Sequence, residues 1–387
     1  MDRVGLKTDT ERPDSPVSLY RNKASPIAID FGSYALRVMQ FAGRQGRAAV
    51  AAAACHVYPP RAPGVAPDRG ETVDALRAIL REKKFAGKKT ISALNDREVL
   101  VKSLRLPEMP EAEMASAVRF EAVERIAGLD DDAEIRFLPA GAVPGESGEQ
   151  KEVIVLAAPA AAVREHLELL SESGLESVAI DALPCAVFRP FEQYLRRQED
   201  AEQVNVFVDV GWSGTRISVT RGDGIAFTKP FEVGGAHFDQ LVREDLSIDF
   251  AQAGELRRQV VAGRCDHHEP TSLVDPARVE AVDGAVHKGL EQLGKEIGLC
   301  LRYYAVTFRG RRPDTITCVG GEALDAPNLE YLSEVTGLPC RAGFPLRNVT
   351  CDGAFGEGEA RGALADWATV VGLAMKPVGH SAEKVGA

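Results

Sequence analysis

The sequence predicts an α/β protein made of two similar halves, with a small α+β subdomain inserted in the first half. The duplication is predicted by a strand, Asp-x-Gly, turn, strand pattern that occurs at 26–41 and again at 205–220. The insertion is predicted by a β-α-β-α-β series of elements between 96 and 178. Two such copies in one chain are expected to form half-molecules that face each other across a cleft.

The two copies share their chemistry as well as their spacing. Their alignment superposes Asp30 on Asp209, Gly32 on Gly211, and Arg37 on Arg216. An acid at the end of a strand, beside a turn rich in Gly and Ser, can hold a hydrated Mg²⁺ while the backbone N–H groups of the turn bind phosphate. Each hairpin alone is more consistent with a purely structural turn. Two facing loops predict a clamp for one polyphosphate and its metal ion.

Composition narrows the class of function. A chain of 387 residues with 45% hydrophobic and 27% charged residues has room for two or more globular domains. Its net charge of -11 argues against nucleic-acid binding, which needs clustered Lys and Arg. The longest apolar runs, 48–55 and 153–163, are too short to span a membrane, and residues 1–23 lack the apolar core of a signal peptide. We therefore expect neither membrane insertion nor export.

The seven cysteines form no CxxC pair and are expected to be reduced thiols. The run Cys265-Asp266-His267-His268 has the side chains of a metal site, but no partner pair with suitable spacing accompanies it. A polar surface loop is the favoured interpretation.

Turn residues and changes of composition divide the chain. The helix 111–126 begins with acids in its first turn, as the helix dipole favours, and the helix 160–172 is closed by Gly174. A loop rich in Gly and charge is predicted at 140–150. The predicted order is a disordered tail at 1–24, the first part of domain 1 at 25–95, the inserted subdomain at 96–178, a connecting helix of domain 1 at 179–201, domain 2 at 202–360, a helix at 361–377 that returns to domain 1, and a tail at 378–387.

The order of motifs resembles the actin, Hsp70 and sugar-kinase ATPase superfamily. The motifs are Asp30-Phe31-Gly32-Ser33, Asp209-Val210-Gly211, Gly234-Gly235, Gly320-Gly321 before a helix, and the small-residue helices 182–188 and 368–374. The resemblance implies an actin-like fold, which is a duplicated ribonuclease H-like fold. An insertion within the first domain is typical of its FtsA and PilM branch. Four segments are similar to the PilM family of type IV pilus assembly proteins, at 103–126, 155–189, 293–306 and 336–345.

This resemblance implies that ATP and Mg²⁺ bind in the cleft. The implied nucleotide-binding residues are Asp30, Gly32, Ser33, Asp209, Gly211, Ser213, Gly214, Thr215, Gly234, Gly235, Gly320 and Gly321, and the implied metal ligands are Asp30 and Asp209, through water. For hydrolysis, Asp181 is the single candidate to orient the attacking water, and a helix N-cap is its structural alternative. We favour the cap, so ATP is expected to be a structural ligand or a slow switch, with slow or absent hydrolysis.

Two residues depart from the usual pattern of the family loops. Tyr34 follows Ser33 where further serines or small residues are usual, and Trp212 stands where a small residue is usual. If backbone N–H groups hold the phosphates, side chains that point away are free to vary. A Trp beside the nucleotide could also stack on it or block it.

The family resemblance also implies partners. It implies a scaffold on the cytoplasmic face of the inner membrane that docks the N-terminal peptide of a PilN-like membrane protein near the inserted subdomain. Contacts with other pilus platform proteins and a homo-oligomer are further expectations. The alternatives are an active ATPase or small-molecule kinase of the same fold, and an FtsA-like filament former. The final residues KPVGHSAEKVGA have no apolar face, so they are not expected to serve as an FtsA-type membrane anchor.

Overall fold

The computed structural model describes residues 24–44, 47–145, 148–195, 202–265, 274–351, 353–355 and 362–377. Apart from Ala24, the predicted tails lie outside these ranges, as does the segment Asp266-His267-His268. The elements in chain order are β1 (Ile27–Phe31), β2 (Ala35–Arg44), β3 (Arg47–Val57), α1 (Arg69–Glu82), β4 (Lys89–Ala93), β5 (Leu100–Pro107), α2 (Glu111–Arg125), β6 (Glu134–Gly145), β7 (Gly148–Ala158), α3 (Ala160–Glu172), β8 (Glu176–Asp181), α4 (Leu183–Glu192), β9 (Val204–Val210), β10 (Thr215–Arg221), β11 (Gly224–Phe231), α5 (Gly235–Leu246), α6 (Phe250–Cys265), α7 (Pro276–Phe308), β12 (Ile316–Val319), a 3-10 helix (Gly321–Leu324), α8 (Ala326–Thr336), β13 (Cys340–Ala342), a second 3-10 helix (Ala365–Trp367) and α9 (Ala368–Ala374).

Two five-stranded sheets repeat one topology. The first has the order β3-β2-β1-β4-β8 and the second has the order β11-β10-β9-β12-β13. In both, the first three strands form antiparallel hairpins and the last two strands run parallel to the central strand. The repeat predicted from the two Asp-x-Gly segments therefore extends over whole sheets.

Local signals set the ends of the helices. Asp68 caps α1 by accepting hydrogen bonds from the backbone N–H groups of Gly70 and Glu71. Asp275 caps α7, whose first turn begins with Pro276. Gly337 ends α8 in the left-handed conformation, with φ +66°, which glycine adopts without a steric penalty.

The helix α6 lies in a stretch that the sequence predicts only as a polar segment. Its polar residues do not give a clear apolar stripe, but Ala253 and Val260 are buried, and Arg257 is also buried among acids from other elements. The buried face of α6 therefore includes a charged residue, Arg257, so the apolar periodicity of the sequence does not reveal it.

The inserted subdomain is shorter than the predicted range 96–178. Its own sheet has the order β5-β7-β6, and α2 packs on it through Met114, Val118 and Ala122. The helix α3 contacts α1, and β8 is the edge strand of the first sheet. The chain thus returns to domain 1 at about residue 159. The predicted loop at 140–150 is instead the tip of the β6–β7 hairpin, which pairs as far as Gly145 and Gly148.

The subdomain packs against the second half of the molecule. Strand β6 contacts β11 and α7, and Ile154 and Leu156 of β7 are buried in the same apolar core as the second sheet. The hydroxyl of Tyr303 on α7 donates a hydrogen bond to the buried Glu152 carboxylate at 3.1 Å. The insertion therefore bridges the two halves.

The two connecting helices cross at close range. A Cβ at Gly372 in α9 would lie 1.7 Å from the carbonyl oxygen of Ala186 in α4, so only glycine allows this crossing. Arg189 of α4 donates a hydrogen bond to the Gly372 carbonyl. This contact is the close packing that the small residues of the two segments predict. Across the described ranges, no helix is both long and apolar enough to cross a bilayer.

Candidate functional site

The two aspartates of the repeat have the same position in their sheets. Asp30 lies directly opposite Arg37 in the β1–β2 hairpin, and Asp209 lies directly opposite Arg216 in the β9–β10 hairpin. Opposite residues in an antiparallel pair lie about 5 Å apart at Cβ, so each acid is placed beside its own arginine. The two segments that align in the sequence therefore occupy equivalent positions in their sheets, and each carries one Asp–Arg pair.

The arginines also reach acids from other elements. Arg37 pairs with Asp366 at 2.8 Å, just before α9. Arg216, which is 3% exposed, pairs with Asp209 at 3.4 Å and with Asp96, between β4 and β5, at shorter range. The cleft therefore holds more acidic than basic groups.

Charged residues of the two halves interact electrostatically, as the pKa values of the two aspartates show. Burial raises the pKa of Asp30 to about 6, against the opposing charges of Arg37 and Arg216. Burial and then the charge of Asp30 raise the pKa of Asp209 to about 7. Burial lowers the pKa of Arg216 to about 10. Each aspartate is thus affected by a charged residue of the opposite half, and the structure brings the predicted metal ligands together.

The two Asp-x-Gly loops touch directly. Ser33 Oγ donates a hydrogen bond to Ser213 Oγ at 2.9 Å. The Asp209 loop is closed by a hydrogen bond from the Gly211 N–H to the Gly214 carbonyl at 2.9 Å. The buried hydroxyl of Thr215 donates to the Val233 carbonyl, so it supports the loop and does not face a ligand.

The pair Gly234-Gly235 packs against the backbone of the loop 211–214 that follows Asp209. A Cβ at Gly234 would lie 2.5 Å from the Gly211 carbonyl oxygen and 2.8 Å from the Gly214 nitrogen. The N–H groups of Gly235 and Ala236, at the start of α5, donate to the carbonyls of Gly211 and Trp212. The Gly235 amide, which the sequence predicts to bind the nucleotide, is therefore used to hold the loop.

The pair Gly320-Gly321 meets the same loop from the other side. Gly320 has φ +90°, and a Cβ there would lie 2.4 Å from the Val210 carbonyl oxygen and 2.7 Å from Asp209 Oδ1. Gly321 begins a 3-10 helix and has open space at its Cβ position. The predicted nucleotide residues thus converge around Asp209.

Three residues beside these glycines form a buried ionic network that the sequence did not predict. Arg257 of α6 pairs with Asp239 of α5 at 2.6 Å and with both carboxylate oxygens of Glu322. Burial alone would lower the pKa of Arg257, but the charges of Glu322 and Asp239 raise it. The partners lie 18 and 65 residues away in the chain, so no local pattern marks them.

Aromatic side chains fill the space beside the loops. Trp212 donates through Nε1 to Asp239 Oδ2 at 3.3 Å and packs edge-to-face on Phe250. The guanidinium of Arg258 lies 5.9 Å from the ring centre of Tyr34, across the cleft. The cavity that these residues line has a volume of about 20 Å³, which is room for a single water.

The side chains of the cleft fit Mg²⁺ and phosphate in charge. The buried side-chain atoms of the described residues that lack a hydrogen-bond partner include three at the cleft: Nε of Arg37, Nε of Arg216 and Oδ1 of Asp366. The two donors suit phosphate oxygens and the acceptor suits a metal-bound water. Among the described residues no cluster of three or more His, Cys, Asp or Glu could hold a metal ion directly, so an ion here would keep waters or phosphate oxygens. The cavity of about 20 Å³ lined by Ser33, Tyr34 and Trp212 is too small to hold a nucleotide in this arrangement of the loops.

Asp181 does not lie free in the cleft. It ends β8, and its carboxylate pairs with Arg189 at 2.7 Å and with Lys376 at 2.8 Å. Burial would raise its pKa, but these two cations lower it. The residue at the N-cap of α4 is Ala182 and not Asp181, although the Ala182 N–H donates a hydrogen bond to the Asp181 carboxylate. The carboxylate therefore joins β8, α4 and the end of α9.

The fold agrees with comparisons with known proteins. A family described as "Type IV pilus assembly protein PilM" matches residues 28–274, more than half of the chain. A search of curated proteins found no match. Among solved structures, the chain is similar to a "PilM-PilN type IV pilus biogenesis complex", with TM-score 0.73, 24% identity, and coverage of 91% of this chain and 99% of that chain. It is also similar to the ethanolamine utilization protein EutJ from Carboxydothermus hydrogenoformans, with TM-score 0.54, 14% identity, and coverage of 93% and 92%. The fold is actin-like, and the chain belongs to the PilM family of type IV pilus assembly proteins.

Proposed function

We propose that this chain is an ATP-binding scaffold of type IV pilus assembly, held at the cytoplasmic face of the inner membrane by the N-terminal peptide of a PilN-like membrane protein. The observation that carries the proposal is the matched pair Asp30 and Asp209, which lie at equivalent positions of two duplicated sheets and both have raised pKa values. A duplicated pair of this kind suits one shared ligand between the halves. Other platform proteins and a second copy of the chain are further partners that we propose on family grounds.

ATP with Mg²⁺ is the proposed ligand of the cleft. Asp30 and Asp209 would hold the hydrated ion, and the unpartnered Nε atoms of Arg37 and Arg216 would face phosphate oxygens. Binding requires that the two serine loops separate, because their hydroxyls bond to each other directly. The nucleotide would therefore favour an opened arrangement of the cleft, which makes it suited to a conformational role.

Efficient hydrolysis is not part of the proposal. A general base works best when its pKa lies near the working pH, whereas the cations beside Asp181 lower its pKa below the ordinary range. Both oxygens of its carboxylate also have cationic partners. The competing interpretation as an ATPase or kinase predicts phosphate release that Asp209→Asn abolishes, and the ion pairs of Asp181 count against it.

The proposed peptide site is the junction between the first sheet and the inserted subdomain. Val65, in the loop before α1, is 52% exposed, and Leu100, at the start of β5, is 37% exposed. Arg97 joins these two segments by donating to the Gly64 carbonyl at 2.6 Å. An extended peptide with apolar side chains would bury both residues. It would then contact domain 1 and the subdomain at the same time.

Binding of the cytoplasmic N-terminal peptide of the adjacent membrane protein tests the proposal. Calorimetric titration should give saturable binding to the intact chain, and Val65→Asp and Leu100→Asp should each weaken it by at least about tenfold, because a charge would then be buried under the peptide. Phe344→Asp, at a residue that is 45% exposed in domain 2, is the matched control and should bind normally. No binding by the intact chain, with or without Mg-ATP, would refute the scaffold function.

A further inference from the structure

An apolar ridge runs along the C-terminal half of α7. Leu299, Tyr303 and Val306 are 49%, 39% and 81% exposed, respectively. Their spacing of four and then three residues places them on one face of the helix, one turn after another. Apolar side chains that are exposed singly are normal, but a continuous stripe of three on one helix face indicates a contact surface.

Basic residues surround this ridge. Between 295 and 312 the chain carries five basic residues and one acidic residue, although its overall net charge is -11. The exposed basic residues are Lys295 and Arg302 on the helix, and Arg309, Arg311 and Arg312 directly after it. The chain thus concentrates positive charge where it also exposes apolar side chains.

The acidic groups near the ridge are mostly neutralised. Glu296 pairs with Lys229 of β11 at 3.4 Å. Glu152 of β7, which accepts from the Tyr303 hydroxyl, is buried and pairs with Arg105 of β5 at 2.8 Å. Asp314, after the arginines, is exposed. The positive potential of the ridge therefore persists after its neighbours from β5, β7 and β11 are counted.

The shape of the ridge favours a partner surface that can deform around projecting side chains. Val306 projects with 81% of its surface in solvent, so the ridge is convex and offers no groove for the side chains of a peptide. A lipid headgroup layer accepts projecting apolar side chains without any preformed pocket, and its anionic lipids attract arginines. An acidic protein would need a complementary groove of its own.

From this combination we infer that the ridge Leu299–Tyr303–Val306, with its arginines, is a contact surface for an anionic membrane. The contact lies at headgroup depth and inserts no segment through the bilayer. It would orient the scaffold by its α7 end, independently of the peptide junction at Val65 and Leu100. The surface lies outside the cleft, so the inference does not depend on nucleotide binding.

Co-sedimentation with lipid vesicles tests this inference on the full chain. We expect binding to vesicles of phosphatidylcholine with phosphatidylglycerol, weaker binding at high salt, and little binding to phosphatidylcholine alone. Each arginine near an anionic surface strengthens binding about fivefold, so the double variant Arg311→Gln/Arg312→Gln should lose roughly twenty-five-fold in partition coefficient. Val306→Asp should lose at least about tenfold, because it puts a charge at the headgroup boundary.

Matched controls separate the ridge from general charge and hydrophobicity. Lys84→Gln/Lys88→Gln removes the same charge from another exposed site, and Val57→Asp places the same acid at a residue that is 51% exposed in β3. Both should bind vesicles like the unchanged chain, and all variants should keep its thermal midpoint. If the unchanged chain does not bind anionic vesicles, the inference is overturned, and an acidic protein becomes the better partner for the ridge. Equal losses in the control variants would overturn it as well.

Discussion

Ser33 Oγ donates a hydrogen bond to Ser213 Oγ at 2.9 Å, although the two residues are 180 positions apart in the sequence. Each serine lies in the turn that follows its own Asp-x-Gly, so this bond joins the equivalent loops of the two halves. The bond is exposed, and an exposed hydrogen bond contributes at most about 1 kcal/mol. It can therefore close the cleft while leaving it able to open for a ligand.

Nucleotide binding should be visible both in thermal unfolding and in fluorescence. Mg-ATP at a hundred times its dissociation constant should stabilise the chain by about 2.7 kcal/mol, and Asp30→Ala should lose this shift because it removes a metal ligand. The emission of Trp212 should change at the same time, since its ring lies at the cleft and its Nε1 is bonded to Asp239. Differential scanning fluorimetry and intrinsic fluorescence measure the two effects.

The second tryptophan provides the control for the fluorescence signal. The chain has 2 tryptophans, and Trp367 is 1% exposed near α9. Trp212→Phe should therefore remove the emission change and keep the thermal shift. An equal thermal shift in the wild type and in Asp30→Ala would contradict a metal-assisted site at this aspartate.

The paired aspartates predict an unusual pH dependence of stability. The pKa of Asp30 is about 6 and that of Asp209 about 7 in the folded chain, against 3.8 for an ordinary Asp. Since the folded state binds these protons more tightly, their contribution favours folding at low pH and is lost as the pH rises from about 4 to about 7. Asp209→Asn should thus become more favourable relative to wild type across this window, by on the order of 1–3 kcal/mol.

Urea unfolding at several pH values without Mg²⁺ measures this difference. The variant also changes the contact with Arg216, and any pH-independent part of that change cancels between pH values, so only the change with pH is informative. Asp74→Asn, whose side chain is 82% exposed, should show no such trend. A constant difference between Asp209→Asn and wild type would show that Asp209 titrates normally.

Asp181→Asn should destabilise the chain strongly. The substitution leaves Arg189 and Lys376 without the buried carboxylate that they share, and breaking a buried ion pair from one side typically costs about 3–5 kcal/mol. Chemical denaturation measures the loss. We expect no comparable fall in ATP turnover per folded molecule, because the carboxylate is held by cations. A normal stability with abolished turnover would instead assign Asp181 to catalysis.

Gly372→Ala should separate the connecting helices α4 and α9. Its Cβ would meet the Ala186 carbonyl oxygen at 1.7 Å, so the backbones must move apart, with a loss of about 2–4 kcal/mol. Thermal unfolding gives the loss, and small-angle scattering should show a wider molecule. Gly284→Ala in α7 has no heavy atom within 4 Å of its new Cβ and should instead be neutral or stabilising by up to about 1 kcal/mol. Similar effects of the two substitutions would show that the crossing tolerates a side chain.

The repeat and its site could be predicted because their signals are local. The spacing from Asp30 to Arg37 equals that from Asp209 to Arg216, and in a tight hairpin a fixed spacing fixes which residues face each other. Short-range periodicity and turn chemistry thus determined the duplicated hairpins, their aspartates and most helices.

The tertiary structure decided how these parts are combined. The sequence patterns assigned α3 and β8 to the insertion. In the structure β8 pairs with β4 in the first sheet, and only long-range strand pairing determines this. The network of Asp239, Arg257 and Glu322 likewise depends on residues up to 65 positions apart. Burial and the like charge of Asp30 raise the pKa of Asp209, whereas the cations Arg189 and Lys376 lower that of Asp181 against its burial. Both effects arise from packing between distant segments. The sequence by itself therefore determined which residues form the two loops, and the fold decided that these loops touch, because their contact depends on how the two halves pack.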